Sequence, residues 1–412
     1  MTIWIFNPYG SLPGEGWRAY RSTMIADAFN KHGHQVVWFT STFEHRSKNF
    51  RSDTWKDIQV NDLYKIVLVP SSAYKAHISW ARIKSERKFA HNLRTHLLAV
   101  NGKPDLVIIA EPAIFIADIL MDITRKKKVK FIVDIIDLWP ELFNIILPSS
   151  LSAAGKLLFA PMYWRRASFI KKAAGLIAVA KDYLEIGKKY NPTPYAEVVY
   201  WGVDTKSIME ASAAPYEDKA LAKLVKQPGE KWVIYAGTLG DNYDLKTIMH
   251  CASMLEASKL NVRILIAGDG SLREFIETYL QQNQLKKTQY IGRLSANDLN
   301  QLYTQCDMAL SSYVKRSTVS MSVKTYDYLC AGLPLINSLG RDLGDFVTTK
   351  KVGLQYEAEN APAMFEAIRL LSQDDALRNN MRNNALALAH FFDANVQYDK
   401  LVTLSKRIVE EA

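Results

Sequence analysis

The stretch STVSMSVKTYDYLCAGLPLI, Ser317 to Ile336, gathers side chains suited to holding an anion. Ser317, Thr318, Ser320 and Ser322 precede a helix-patterned run that carries Lys324 and Asp327 in its early turns. Free N–H groups at a helix N-terminus, small hydroxyls and one lysine together suit a diphosphate. Asp327, three residues on, falls on a nearby helical face, where a carboxylate can accept hydrogen bonds from ribose hydroxyls. The same residues also fit a capped helix with a Lys–Asp surface pair, and spacing alone leaves both readings open.

Three earlier turns repeat the theme. Gly237, Thr238, Leu239 and Gly240 close the run KWVIYAG and open a helix-patterned segment. Gly268, Asp269 and Gly270 follow NVRILIA, with Ser271 as the expected N-cap, and Gly292 and Arg293 end TQYIGR ahead of Ser295. Glycines there let backbone N–H groups approach an anion, although a tight strand–helix turn needs glycine anyway. Three such turns at one end of one sheet point to a nucleotide crevice, with Ser320, Met321 and Ser322 on its wall.

Near the N-terminus, NPYGSLPGEGWRAYR (Asn7 to Arg21) follows the strand-like TIWIF. Gly10, Gly14 and Gly16 have G-x3-G-x-G spacing, and the next strand ends in Thr40-Ser41-Thr42. Neither matches the G-x-G-x-x-G fingerprint with its acidic ribose ligand, which disfavours a dehydrogenase. Arg18 and Arg21 are expected to open a helix from Trp17 onward and to face an anion, arginine being suited to phosphate by its planar fork. Glu111 ends DLVIIAE and Asp137 follows VKFIVDI; strand-end carboxylates there can hydrogen-bond a hydroxyl or orient an attacking oxygen.

The elements that must position these residues alternate throughout. TIWIF, HQVVWFT, KIVLVP, DLVIIA, VKFIVDI, GLIAVA and AEVVYW are short, apolar and β-branched, and amphipathic helical patterns separate most of them. That is the grammar of a doubly wound parallel sheet. It lapses over residues 203–230, then restarts with KWVIYAG, NVRILIAG, TQYIG, DMALSSY and LPLIN. We therefore expect an α/β protein of two Rossmann-like domains facing across a cleft. Residues 1–200 would form the first domain and 201–392 the second, with 393–412 a helix crossing back to the first. Ligands should lie beyond the carboxyl ends of the strands.

The chain has 412 residues, too long for one core. Cys251, Cys306 and Cys330 form no disulfide framework, which suggests a reducing compartment. No leader is expected from the strand-like start, and no run nears the ~18 apolar residues of a membrane span. Residues 1–200 carry a net charge of +11 and residues 201–412 a net of −1. The basic half suits an anionic partner. The eight histidines lack ligand spacing and no Asp-x-Asp occurs, so no metal or cofactor is assigned.

YAGTLG, IAGDGSLREFIE, IGRLSANDLNQLYTQCDMALSSY and VKTYDYLCAGLPLI, in this order, resemble the C-terminal half of the retaining GT-B glycosyltransferases of the large family-4 type. The likeness is clearest to bacterial surface-polysaccharide enzymes related to N-acetylaminosugar transferases. FNKHGHQVVWFT and DIIDLWPELF fit the N-terminal half. The resemblance implies metal-free transfer from a nucleotide-diphosphate sugar, with UDP and an N-acetylhexosamine as the expected donor. The departing phosphate would take the acceptor proton. It makes Gly237 to Gly240, Gly268 to Gly270, Gly292, Arg293, Ser320 to Ser322, Lys324 and Asp327 donor-binding residues, with Asp137, Lys324 and Arg293 catalytic. Gly14, Glu15, Gly16, Arg18, Arg21, Glu111 and Asp137 become the acceptor wall. This sequence departs from the family where Val319 and Asp327 replace two glutamates, and where Thr238 and Asp244 replace an Arg and Lys pair. Lys324, Arg293, Lys315 and Arg316, in that order, are the substitutes for the diphosphate charge.

Residues 152–175 interleave Leu157, Leu158, Trp164 and Phe169 with Arg165, Arg166, Lys171 and Lys172, and Thr124 to Lys130 is also basic. Such a helix either lies in an anionic lipid interface or packs on the sheet with a basic edge. The expected protein is cytoplasmic, or peripheral on the inner face of the membrane, with a glycan or lipid-linked acceptor and no nucleic acid. A sugar-nucleotide epimerase of the same fold is the alternative, and a nucleic-acid-binding protein a weaker one.

Overall fold

The computed structural model describes residues 1–411 except 17, 77–78, 145–154, 156, 212–215 and 219–220, and leaves out the side chains of 142, 144 and 209. The chain forms two compact units, Met1–Trp201 with Asn395–Ala412, and Gly202–Ala394.

The first unit is built on β1 (Thr2–Phe6), β2 (Gln35–Ser41), β3 (Lys56–Asn61), β4 (Tyr64–Val69), β5 (Leu106–Glu111), β6 (Lys130–Ile135), β7 (Gly175–Ala178) and β8 (Ala196–Val198). They lie in the order β3-β4-β2-β1-β5-β6-β7-β8. All pair parallel except β3, which runs antiparallel to β4 at the edge. The strands are apolar along their length because helices cover both faces of the sheet. The edge strand KDIQVN is mostly exposed and carries no such pattern. The order in which strands are added across the sheet reverses between β1 and β5, so Asn7, after β1, and Glu111, closing β5, flank the switch point.

The first helix runs Arg21–Lys31, four residues later than the pattern suggests, and Arg18 precedes it. Arg21 is fully buried. Its Nε and Nη2 donate to the Asp134 carboxylate at 2.7 and 2.9 Å, and Nη1 donates to the Val199 carbonyl at 2.8 Å. Arg21 therefore leaves the expected acceptor wall: it is a structural cation. The C-terminal helix, Ala394–Glu410, presents Tyr398, Leu401, Val402, Leu404 and Ile408 as a buried stripe. Tyr398 stacks on the Arg21 guanidinium at 5.4 Å and donates to the Trp201 carbonyl at 2.9 Å.

The second unit is a six-stranded parallel sheet of β9 (Lys231–Ala236), β10 (Val262–Ala267), β11 (Thr288–Gly292), β12 (Met308–Ser311), β13 (Leu335–Asn337) and β14 (Gly353–Gln355). The order is β11-β10-β9-β12-β13-β14, the 3-2-1-4-5-6 order of nucleotide-binding sheets, with its switch point between β9 and β12. Val233, Tyr235, Ile264, Ile266, Met308 and Leu310 form its core with Ile248, Leu255 and Ile368 from the helices. The unit begins at Gly202, so the polar stretch 203–230 belongs to it and includes the helix Thr205–Glu210; residues 212–215 and 219–220 of that stretch lie outside the described residues.

Breaking a buried pair strands a charge. Asp134→Ala should cost about 3–5 kcal/mol of unfolding free energy in urea melts, and replacing both Arg21 and Asp134 with apolar residues should cost markedly less. Equal losses would show that the two do not act as a unit.

Candidate active site

In the second unit the glycine turns interlock. Gly268 has φ +140°, and a Cβ there would lie 1.8 Å from the Gly237 carbonyl oxygen; one on Gly270 would lie 2.4 Å from that of Leu239. The Gly237 N–H donates to the Ala267 carbonyl, that of Leu239 to Asp269, and that of Leu272 to Leu239. These glycines bring two backbone segments into contact, so the N–H groups of Gly237 and Leu239, expected at an anion, are already used between the turns. Ser271 is not the N-cap of the next helix, which is Leu272. Arg293 is exposed beyond Gly292, at the end of the edge strand β11.

The hydroxyls before the helix Val323–Cys330 are also engaged. Ser320 accepts from the Asp342 N–H at 3.3 Å, and the Ser322 hydroxyl lies 2.6 Å from that of Tyr313. Met321 is buried. Ser322 is the N-cap residue, but its side chain makes no cap bond, which leaves the first turn of N–H groups without that partner. Asp327, one turn on, is half-buried. Lys315 pairs with Glu357, and Arg316 is exposed. Asp244 caps the helix Leu245–Ala257 through the Thr247 N–H.

Lys324 stands apart. Its Nζ is buried and has no hydrogen-bond partner. It lies 4.0 Å from the ring centroid of Tyr235, 4.2 Å from that of Tyr243 and 5.4 Å from that of Tyr313. Burial pushes its pKa well below the ordinary lysine value. This is no Lys–Asp surface pair. A buried amine without an anion, at the switch point beside a helix N-terminus, suits a negatively charged group. The three tyrosines were not singled out from the sequence. Their signal is positional: Tyr235 near the end of β9, Tyr243 in the turn it leads to, Tyr313 just past β12.

The first unit has its own cavity at its switch point, of about 290 Å³, lined by Tyr9, Arg82, Glu111, Asp137 and Trp139 among others. Arg82 donates to Glu86 at 2.9 Å and to the Tyr9 hydroxyl at 3.0 Å, and its guanidinium lies 4.6 Å from the Trp139 centroid. Trp139 packs with Ile114 and Phe143. Glu111 is 1% exposed, and neither carboxyl oxygen has a hydrogen-bond partner. Burial raises its pKa from 4.5 to about 8, with Arg166 opposing and Glu141 adding to the rise. Burial therefore favours the neutral form of Glu111, which can donate a hydrogen bond. Asp137 follows β6 and caps no helix; the side chain is solvent-accessible, so the upward push of surrounding protein on its pKa, opposed by Arg82, carries little weight beside that exposure.

The other acceptor-wall residues divide. Glu15 is held by Arg51 at 2.7 and 2.9 Å and by the Leu12 N–H at 2.8 Å, which makes it a loop brace. Gly14 and Gly16 have φ +86° and +71°, so they shape the turn. Arg18 is exposed. In the basic stretch, residues 152–154 and 156 lie outside the described residues. Arg166 is buried and bidentate with Glu141, while Leu157, Leu158, Trp164, Arg165, Lys171 and Lys172 are exposed. No helix among the described residues is long and apolar enough to cross a membrane.

Residues 217–387, most of the second unit, match the family model "Glycosyl transferases group 1". The curated protein "Probable glycosyltransferase WbjE" of Pseudomonas aeruginosa is 22% identical over 207 residues, which is 48% of this chain and about half (50%) of that protein's length. Sucrose-phosphate synthase from Thermosynechococcus elongatus superposes with a TM-score of 0.74 at 14% identity over 100% of both chains. Anabaena HepE, solved in complex with UDP-glucose, gives a TM-score of 0.63 at 11% identity, covering 100% of this chain and 99% of that one. The fold is that of the GT-B glycosyltransferases. Lys324 lies inside the region that the family model matches.

A neutral Glu111 has a pH signature. An acid whose pKa rises on folding binds more protons folded than unfolded, so stability falls as pH climbs from about 4.5 to about 8. Glu111→Gln should flatten that decline in melting temperature; an unchanged pH profile would show that Glu111 ionises freely.

Proposed function

We propose that the protein is a retaining glycosyltransferase that moves a sugar from a UDP-linked donor, with an N-acetylhexosamine as the favoured sugar, to a glycan acceptor carried on a lipid diphosphate. The observation that carries the reading is the unpartnered Lys324 at the switch point of the family-matched unit. UDP is favoured as the carrier because HepE, of the same fold, was solved with UDP-glucose. In this reading the helix N-terminus and Lys324 hold the diphosphate, and Asp327 holds the ribose. The bond from the anomeric carbon to phosphate breaks as the acceptor oxygen bonds to the same face of that carbon. The acceptor proton passes to the departing phosphate, whose charge Lys324 stabilises without a metal ion. The cavity of the first unit takes the hydroxyl-rich acceptor, with Glu111 as donor and Asp137 as acceptor of hydrogen bonds.

Calorimetry tests the donor reading. UDP should bind the native protein, and Lys324→Ala should weaken binding by about ten- to a hundredfold, the worth of a charge-assisted hydrogen bond. Wild-type affinity in that variant would show that the diphosphate sits elsewhere. Conversion of a UDP-sugar to its epimer without acceptor would replace transfer by isomerisation.

The exposed Leu157, Leu158 and Trp164 beside Arg165, Lys171 and Lys172 support peripheral binding to an anionic membrane face in the cytoplasm. The triple variant Arg165→Glu, Lys171→Glu, Lys172→Glu should lose binding to phosphatidylglycerol vesicles in flotation. Unchanged flotation would remove the membrane from the reading.

A further inference from the structure

A buried lysine amine normally has a carboxylate. Lys324 has none: burial alone pushes its pKa down, toward the neutral amine, and no neighbouring charge opposes it, so whatever favours the ammonium must come from uncharged groups. The groups around it are phenols. Tyr235 comes from β9, Tyr243 from the loop after it and Tyr313 from the segment after β12, and the three rings contact one another in series, with Tyr235–Tyr243 centroids 6.3 Å apart and Tyr243–Tyr313 centroids 5.0 Å apart. Their hydroxyls point to other partners. That of Tyr235 donates to the Thr238 carbonyl at 2.9 Å and that of Tyr313 meets Ser322. Tyr328, on the lysine's own helix, has its hydroxyl tied to the backbone of Ala236. Of the nearby acids, Asp244 is committed to the Thr247 and Glu359 N–H groups, and Asp327 lies one turn further along the helix. The fourth neighbour is backbone: a Cβ at Gly237 would lie 3.1 Å from Nζ, so the glycine clears the space that the amine fills.

We propose that Tyr235, Tyr243 and Tyr313 form an aromatic cage that serves Lys324 as an uncharged counter-ion, holding the ammonium in place while leaving its charge unbalanced for the donor diphosphate. The electron-rich face of an aromatic ring attracts a cation, and does so more strongly where water is excluded. A carboxylate would hold the lysine as well, but it would repel the incoming phosphates. The cage does the first without the second. The tyrosines are positioning residues, acting through Lys324. The inference rests on the donor reading above.

A fluorination series at position 243 tests it. Phenylalanine, 4-fluoro-, 3,5-difluoro- and 3,4,5-trifluorophenylalanine keep the ring's shape and progressively drain its face of charge. UDP affinity should fall stepwise, about tenfold across the series, and the same series in a Lys324→Met background should be flat. A flat or rising series in the lysine-containing protein overturns the cage, as does a slope that survives without the lysine. If UDP does not bind the wild-type protein at all, the donor reading fails and takes this inference with it; binding with a flat series overturns this inference alone. A ligand-free measurement stands beside these: Tyr243→Leu and Lys324→Met should lower the melting temperature non-additively, and strict additivity overturns the cage.

Discussion

The second unit is organised around a cation that has no anion. Removing an ammonium from water costs several kcal/mol, and each aromatic face returns about 2 kcal/mol when dry. Keeping Lys324 where it is therefore needs several faces at once, and they come from different parts of the chain. The strand order supplies them. β9 and β12 are neighbours although the chain between them builds two further strands, so residues near their carboxyl ends meet. Gly237 then removes the one side chain that would press on the amine.

Arg21 is the opposite solution to the same problem. It follows a glycine-rich turn and, like Lys324, lies in the first turn of a helix, and by residue type it resembles an anion-binding arginine. Its carboxylate partner, Asp134, lies on β6, 113 residues away, and Tyr398 reaches it from the C-terminal helix. Nothing local distinguishes a cation that is paired at such a separation from one left unpaired. The sequence could thus nominate both Lys324 and Arg21, and only the fold could separate them.

Fold and site were legible to different depths. Two doubly wound sheets follow from apolar, β-branched runs, because burial on both faces leaves that mark on each strand. β3 left no mark, being a mostly exposed edge strand, and β14 is only three residues long. Glu111, Asp137 and Lys324 could be nominated from sequence because ligand groups gather at strand ends and helix starts. The glycine turns were legible but their packing was not: Gly268 and Gly270 are required by carbonyls of the neighbouring turn, a contact between residues some thirty positions apart that local spacing does not encode. The tyrosine cage went unseen because a tyrosine near the end of a buried strand looks like any other core aromatic.

The charge distribution makes the same point. The basic half of the chain, at +11, is where an anion partner was first sought, yet Lys324 sits without an anion in the half whose net charge is −1. In the basic half, Arg21, Arg51, Arg82 and Arg166 are held by Asp134, Glu15, Glu86 and Glu141. Its switch-point cavity presents instead a carboxyl that burial keeps protonated. Net charge governs the far field and the attraction to a charged surface. Recognition of one phosphate is decided within a few ångströms, by whether the nearest cation already has a partner. A nearly neutral unit with one unsatisfied lysine can be the better anion site, and a strongly basic unit whose inward-facing arginines are paired can offer a place for uncharged hydroxyls.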